Sequence, residues 1–294
     1  GMFSERSGVI NIALEGIMVV GGLIGVVMIN IMNAAGVPIA LALIITIGAS
    51  ALAGAVYSSL LAFSAINLKA DQTIGGTALN LLAAALAVVV AKRVNGTDSS
   101  KISYSSSVNQ HLNNVNYTFN IGPLTVNWFI VVSVAALAIA WFILYKTRFG
   151  MRLMSCGEHP QAADSVGINV YKMRWAGVLM SGALGGIGGM AYIVPAVGDW
   201  NFETGVAGMG FLALAVMIFG QWKPLNIAGA SLFFAVFRAM ANIFDSIPAL
   251  KALGWPKEIY NMMPFIASMV VLAFTSKKSR APKAEGIPYD QGKR

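Results

Sequence analysis

The first long apolar segment of the chain, residues 9–32, carries polar side chains along one side. Ser7, Asn11 and Glu15 follow one another at intervals of four residues, a spacing that places them on one face of a helix. A carboxylate is costly inside an apolar helix, so an ionisable residue there is a functional candidate by default. Glu15 is predicted either to line a path for a polar solute or to position a neighbouring helix. An interfacial place near the cytoplasmic end of its span is the alternative.

Other residues could contact a solute with polar groups and a ring. Asn11 and Asn80 carry amides that can hydrogen-bond a polar ligand, and Trp200 and Phe202 offer surfaces that stack on a ring. Helix capping by the asparagines and interfacial anchoring by the aromatic residues are the competing interpretations. Together with Glu15, these residues are the substrate-path candidates.

The composition indicates what must position these side chains. Hydrophobic residues make up 57% of the chain and charged residues only 11%, whereas soluble proteins contain roughly 25% charged residues. Apolar runs of about the length that a bilayer requires recur along the sequence. We therefore predict an all-α, polytopic membrane protein with about eight spans. They cover residues 9–32, 39–66, a third ending at residue 92, 125–145, 175–194, 206–222, 225–244 and 259–275.

Glycines within the predicted spans favour close helix packing. The run SGALGGIGG, residues 181–189, could be mistaken for a dinucleotide-binding loop, but no strand precedes it and its surroundings are apolar. Small residues at helical spacing instead let two helices approach closely. We therefore interpret this run as a packing surface for neighbouring helices.

The distribution of basic residues predicts the orientation of the chain. Most lysines and arginines outside the spans fall on the side that holds the loop 146–174 and the tail 276–294. The excess of positive charge marks that side as cytoplasmic. The segments 93–124 and 199–203 are then external. We predict one transmembrane domain over residues 1–275, followed by a disordered cytoplasmic tail over residues 276–294.

The loop 146–174 is the longest polar interruption with concentrated positive charge. Its middle, residues 160–166, has the sequence of a short helix, and its basic residues flank that helix: Lys146, Arg148, Arg152, Lys172 and Arg174. A cytoplasmic protein partner and lipid headgroups are both compatible with these charges. Cys156, in the same loop, is interpreted as a small apolar filler.

Several kinds of site are missing from the sequence. It contains no G-x-x-x-x-G-K-[ST] phosphate loop, so the chain is not itself a P-loop ATPase and we expect it to bind no cofactor. His111 and His159 are predicted on opposite sides of the membrane and cannot share a metal ion. No serine or cysteine nucleophile has a suitably placed histidine, so we predict no catalytic or metal-binding residues and no enzyme. A formal charge of +8 without interleaved stacking aromatics does not indicate a nucleic-acid partner.

Three motifs, in order along the chain, resemble those of a known family. They are SERSGVINIALEG at residues 4–16, RFGMRLMSCGEHPQAADSVGINVYKMR at residues 148–174, and GFLALAVMIFGQWKP at residues 210–224. Together they resemble the permease subunits of bacterial ABC importers, in the branch for nucleosides that is related to ribose and branched-chain amino-acid permeases. Family members carry a further apolar helix before the first motif, so the resemblance implies at least nine spans.

The resemblance implies a mechanism and a set of partners. In that family the loop holds a short coupling helix that sits in a cleft of the ATP-binding subunit, and here it matches Glu158, His159, Pro160, Gln161, Ala162, Ala163, Asp164 and Gly167. The other implied partners are a second permease, identical or related, an external substrate-binding lipoprotein and the lipid of the bacterial cell membrane. ATP would be hydrolysed by the partner subunit.

Other classes of membrane protein should show different sequence features. An ion-coupled secondary transporter or channel should carry coupling carboxylates near mid-membrane, and only Glu15 comes close. An embedded enzyme or scaffold would leave the structured basic loop without a role. The sequence thus favours an ABC importer permease for nucleosides, with the secondary transporter as the alternative.

Overall fold

The computed structural model describes residues 1–103, 118–121, 124–195, 199–243 and 281–291, with five isolated residues between 259 and 269. The helices are α1 (Met2–Arg6), α2 (Leu14–Ala34), α3 (Ile39–Ala62), α4 (Gln72–Asn95), α5 (Trp128–Lys146), α6 (Arg148–Glu158), α7 (Pro160–Ser165), α8 (Val170–Ile193), α9 (Met209–Phe219) and α10 (Pro224–Ile243). A π-helical turn, Phe63–Asn67, extends α3, and a 3-10 turn, Phe202–Thr204, lies shortly before α9. The predicted helical fold class is confirmed.

Three of the four short strands in the described residues occur in segments that we predicted to be external, and the third along the chain overlaps the start of the predicted span 125–145. The strands are β1 (Lys101–Ser103), β2 (Thr118–Ile121), β3 (Leu124–Asn127) and β4 (Asp199–Asn201). β1 pairs antiparallel with β4, with Ile102 opposite Trp200, and β2 pairs antiparallel with β3. The β1–β4 pair therefore ties the end of α4 to the segment that precedes α9.

Six helical segments in the described part of the chain are long and apolar enough to cross a membrane. They are Leu14–Ala34, Ala40–Asn67, Gln72–Asn95, Trp128–Lys146, Val170–Ile193 and Phe202–Phe219, and Pro224–Met240 is a shorter apolar stretch. These segments correspond to the first seven predicted spans. The eighth, residues 259–275, lies outside the described residues except for isolated positions, so the count of eight stays a prediction.

Local sequence sets several helix ends. The Asp71 side chain accepts hydrogen bonds from the N–H groups of Thr73 and Ile74 at the start of α4, and Asn169 accepts one from Lys172 at the start of α8. Such caps satisfy N–H groups that have no partner within the helix. At the other end of α4, Gly96 has a φ of +65°, which favours glycine and ends the helix.

Glycines of α8 allow α2 and α3 to approach it closely, as the sequence predicted. A Cβ at Gly186 would collide with the backbone carbonyl of Ser50 in α3, and one at Gly189 would collide with the carbonyl of Met18 in α2. By contrast, Gly188 faces open space. The glycine run is therefore a packing surface between helices, and each side of the run contacts a different neighbour.

Contacts divide the chain into two compact units. One comprises residues 1–211 with residues 282–294, and the other comprises residues 212–281. The first unit holds α1 to α8 and the start of α9. The second holds the rest of α9 and α10. The single transmembrane domain expected over residues 1–275 remains a prediction.

The structure describes residues 281–291 of the tail, which we call the strap. Ala284 and Tyr289 are buried, and the backbone N–H of Ala284 donates to the carbonyl of Gly157 over 2.8 Å. The expectation of disorder over residues 276–294 stays a prediction, although the strap packs on α6 in this structure. Its few apolar and aromatic side chains occupy sites that exist only once α6, α7 and α8 have packed, and composition alone does not reveal such sites.

Candidate functional site

Side chains of α4 hold the start of α2. The Oδ1 atom of Asn80 accepts a hydrogen bond from the N–H of Gly16 over 2.8 Å, and its Nδ2 donates to the carbonyl of Ile12 over 3.0 Å. At the first residue of α4, the Oε1 atom of Gln72 accepts a hydrogen bond from the N–H of Ile10 over 2.7 Å. Irregular backbone at membrane depth needs such partners, because no water is there to replace them. Asn80 thus caps the start of α2. Gln72, which has a similar role, was not among the candidate residues from the sequence.

Glu15 holds the start of α9. Its Oε1 atom accepts from the N–H of Gly208 over 2.9 Å, and its Oε2 accepts from the N–H of Gly210 over 2.7 Å. A Cβ at Gly210 would collide with the backbone of Glu15, so only glycine permits this approach. The carboxylate also faces the positive end of the helix dipole of α9. Of the roles predicted for Glu15, the structure shows the positioning of a neighbouring helix.

This junction lies near the middle of the neighbouring spans. A Cβ at Gly16 would lie 3.0 Å from the Cβ of Ala83, which is about 16 Å along α4, a helix about 36 Å long. This position on α4 favours the positioning of a neighbouring helix for Glu15, and the interfacial alternative stays open. Helix α9 has 11 residues and is about 16 Å long. We call Glu15, Gly16, Asn80, Gly208 and Gly210 the mid-span junction.

Asn11 lies in the segment before α2, next to α8. It is fully buried, and its Nδ2 donates to the hydroxyl of Ser181 over 2.8 Å. Its Oδ1 is also buried and forms no hydrogen bond within the described part of the chain. The amide therefore joins the segment before α2 to α8.

Of the two aromatic candidates, Trp200 lies in β4 and Phe202 begins the 3-10 turn that follows it. The Trp200 indole N–H donates to the carbonyl of Gly205 over 2.8 Å, and its ring meets that of Tyr192 edge to face at 5.5 Å. Phe202 is completely buried in the core. The hydroxyl of Ser100, the residue before β1, donates a hydrogen bond to Oδ1 of Asn201 in β4 over 2.8 Å. In this conformation, Phe202 offers no surface for stacking a solute.

The loop 146–174 folds as two helices. Helix α6 is amphipathic, and α7 is a single short helix with Pro160 at its first position, where the missing N–H costs nothing. After α7 the chain turns through Gly167, whose φ is +83° and whose N–H donates to the carbonyl of Asp164. The short helix predicted over residues 160–166 is thus present as Pro160–Ser165.

Helix α7 has a buried side and an exposed side. Pro160 and Ala163 are buried, and Val166, just after the helix, is 73% exposed. Among the other predicted coupling residues, exposed positions are His159, Gln161, Ala162 and Gly167, whereas Glu158 and Asp164 are half-buried. The structure therefore presents most of this set to the surface as one short segment.

Arg174 differs from the other basic residues of the loop. It is 1% exposed, and its Nη1 donates to the strap carbonyl of Ile287 over 2.9 Å. Arg148, Arg152 and Lys172 are exposed. The interpretation of Arg174 as a contact for a partner or for headgroups is therefore wrong, because the strap covers it.

Cys156 lies beneath the strap. It is fully buried in an apolar cluster with Ala163, Val170 and Tyr289. Burial raises the pKa of its thiol, although the nearby Arg174 guanidinium opposes that change. A buried thiol of raised pKa is a poor nucleophile, in agreement with its interpretation as an apolar filler.

Sequence reasoning missed the strap, and the signal available for it was weak. Ile287, Pro288 and Tyr289 interrupt an otherwise polar tail, and an isolated aromatic residue in such a segment can mark a docking point. For metals, the described ranges contain no group of three or more histidine, cysteine or acidic residues that could hold an ion.

Comparison with known proteins identifies the family. A protein family described as "Branched-chain amino acid transport system / permease component" matches this chain over residues 1–273. A nucleoside ABC transporter permease, NupC of Lactococcus lactis, is 40% identical over all of this chain and 92% of its own length. A guanosine ABC transporter permease, NupQ of Bacillus subtilis, is 38% identical over the same shares. A putative glucose ABC transporter permease, TsgC13 of Haloferax volcanii, is 29% identical over 93% of this chain and 85% of its own length.

No solved structure matches the chain. The family of transport permeases is not a family of enzymes, and its members work with an ATP-binding subunit and a substrate-binding protein. With its long apolar helices, the protein is a multi-pass protein of the plasma membrane. The chain belongs to the permease-component family of branched-chain amino acid transport systems, as a transmembrane subunit of an ABC transporter.

Proposed function

We propose that this chain forms the translocation path for nucleosides in an ABC importer. The observation that carries the proposal is similarity over the full chain to a nucleoside permease and a guanosine permease, at 40% and 38% identity. A sugar remains the second candidate, because the putative glucose permease is also related over most of the chain.

The coupling surface is the exposed side of α7 and its flanks. Glu158, His159, Gln161, Ala162, Asp164 and Gly167 meet the cleft of the ATP-binding subunit, and Pro160 and Ala163 hold the helix on the permease. A compact helix clamped in a partner's cleft converts closure of the ATPase into a movement of the spans.

The mid-span junction is the element that this movement acts on. In the present conformation Glu15 holds the start of α9 and Asn80 holds the start of α2. Release of α9 from Glu15 would open space at mid-membrane depth, where a polar solute could replace the lost hydrogen bonds. Asn11, Trp200 and Phe202 are candidates for contact with the solute in that open state.

A second permease, identical or related, completes the path. Apolar side chains on α4 and α5 are exposed in the single chain, among them Leu81, Val134 and Phe142. They contact lipid or the partner permease. Arg148, Arg152 and Lys172 are exposed beside α7 and contact the ATP-binding subunit or lipid headgroups.

The test is uptake by the complete transporter in proteoliposomes. The chain with its ATP-binding subunit, partner permease and binding protein should accumulate labelled guanosine only with ATP. Unlabelled nucleosides should compete, whereas glucose, ribose and leucine should not. Competition by glucose or ribose alone would assign the path to sugars. Guanosine uptake that needs an ion gradient and no ATP would contradict the proposal and favour a secondary transporter.

Two variants test the coupling surface. Glu158→Lys and deletion of residues 160–164 should abolish uptake while the permease still inserts in the membrane. ATP-dependent uptake at the wild-type rate in either variant would exclude this segment as the coupling element.

A further inference from the structure

The strap touches every cytoplasmic element around α7. Its backbone bonds to the loop after α1, where the N–H of Gly286 donates to the carbonyl of Gly8 over 3.2 Å, and to the end of α6 at Gly157. Near its far end, Asp290 forms an ion pair of 3.1 Å with Lys69, which lies between α3 and α4. Segments far apart in sequence are thus joined by one short stretch of chain.

A buried guanidinium is a further attachment of the strap. Arg174 lies in the first turns of α8, and its Nη1 donates to the carbonyl of Ile287 over 2.9 Å. Its Nη2 lies close to Gly8, since a Cβ at that glycine would be 2.8 Å from it. A buried charge is costly unless its donors find acceptors, so removal of the strap would leave Arg174 exposed or unpaired.

Tyr289 is the side chain of the strap that reaches α7. It is 5% exposed and belongs to one apolar cluster with Cys156 of α6, Ala163 of α7 and Val170 of α8. Its ring meets Tyr171 edge to face at 5.4 Å. The ring is therefore part of the apolar cluster that includes the buried side of α7.

Helix α7 has little stability of its own. It contains six residues, whereas isolated helices shorter than about 12 residues are marginal in water. Only Pro160 and Ala163 anchor it from within, and both are small. The position of α7 therefore depends on the apolar cluster on its buried side, to which the strap contributes Tyr289.

We infer that the strap is a brace that makes α7, α8 and the segment before α2 move together, with Arg174 and Tyr289 as positioning residues. This inference rests on the proposed role of α7 as the coupling helix. From Gly8 the chain runs directly to Ile10, which Gln72 holds, and on to Glu15 in the mid-span junction. The brace gives a displacement of α7 a short, covalently continuous route to the path.

Tyr289→Ala in the complete transporter is the principal test. The variant should lower the number of nucleosides transported per ATP hydrolysed by about tenfold, the scale expected when a coupling contact is lost. The ATP-binding subunit should still co-purify, because the exposed side of α7 is unchanged. Ile287→Ala is the matched control, since that side chain is 58% exposed and its backbone carbonyl is kept. Its transport per ATP should equal that of wild type.

The only cysteine of the chain reports whether the strap is docked. Cys156 should resist a maleimide in wild type and in Ile287→Ala, and it should react at least about tenfold faster in Tyr289→Ala, which opens the apolar cluster around it. If Tyr289→Ala only lowered the stability of the permease, faster labelling of Cys156 would not be accompanied by a lower number of nucleosides transported per ATP hydrolysed.

A second variant displaces the strap without touching α7. Gly286 has a φ of +76° and lies against Ile10, so Gly286→Val strains the backbone and collides with that side chain. It should uncouple transport as Tyr289→Ala does, even if Tyr289→Ala itself fails to assemble. An assembled Gly286→Val transporter with an accessible Cys156 and wild-type transport per ATP would overturn the inference. Absence of nucleoside uptake by wild type would instead contradict the proposed function.

Discussion

The mid-span junction and the coupling surface are held together by different forces. At the junction, two helix starts are fixed by hydrogen bonds from backbone N–H groups to Glu15 and Asn80. Behind the coupling surface, the buried side of α7 belongs to an apolar cluster with Tyr289 of the strap, and one guanidinium–carbonyl bond joins the strap to α8.

The contrast indicates which region can switch. Directional hydrogen bonds in an apolar setting are strong when made and costly when broken, but a polar solute can replace them. Apolar packing has no such substitute and therefore favours one arrangement. We interpret the junction as the part that opens and the strap with α7 as the part that moves as one body.

Replacing Glu15 tests the junction most severely. Glu15→Ala removes the acceptor for both Gly208 and Gly210 and leaves two part-buried N–H groups without that partner, at a cost of about 2–3 kcal/mol. We expect loss of uptake together with a lower thermal unfolding temperature. Glu15→Gln keeps one acceptor oxygen and should be less severe. Full activity of Glu15→Ala would show that the junction has no role in transport.

Replacing Val166 tests the opposite region. Its side chain is 73% exposed beside α7, so Val166→Asp should leave folding unchanged within about 0.5 kcal/mol. A desolvated carboxylate in the cleft of the ATP-binding subunit should weaken assembly by about tenfold or more, measured by co-purification at graded subunit concentrations. If assembly is normal and the permease is instead unstable, the exposed side of α7 is not the docking surface.

Asn80→Ala should have an intermediate effect, because its hydrogen bonds are neutral. Loss of the cap on Gly16 and of the bond to Ile12 should cost about 1–2 kcal/mol. We expect slower uptake but intact assembly with the ATP-binding subunit. A loss of stability as large as that of Glu15→Ala would remove the distinction between charged and neutral contacts at the junction.

The smallest expected effect concerns the pH dependence of the strap. Burial and, after it, the neighbouring Glu5 carboxyl raise the pKa of Glu285 to about 8, although Arg6 opposes the change. The docked carboxyl binds its proton more tightly than the free one, whose pKa is 4.5. Docking is therefore favoured at low pH and weakens as the pH rises from about 4.5 to about 8.

Maleimide labelling of Cys156 measures this dependence, with Glu285→Gln as the reference. The wild-type rate divided by the variant rate removes the intrinsic pH dependence of the thiol, and this ratio should rise between about pH 5 and pH 8. A ratio that does not change with pH would show that Glu285 does not control docking.

Much of the coupling region could be anticipated from local sequence. Pro160 begins a helix, Gly167 permits a left-handed turn, and basic residues surround both. These features depend on neighbours along the chain, so the pattern is visible without the fold. The substrate-path candidates were harder, because an asparagine that caps a helix and one that binds a solute look identical in sequence.

The sequence by itself determined the class of protein, the positions of the apolar spans and the short helix of the polar loop. Spans and short helices follow from composition and from residues within one or two turns of each other. Only the tertiary structure decided that Glu15 binds the start of α9, that Arg174 is covered and that the strap packs on α6. Each of these contacts joins residues more than a hundred positions apart. Such contacts depend on how helices pack, and one sequence alone does not encode that packing in any local pattern.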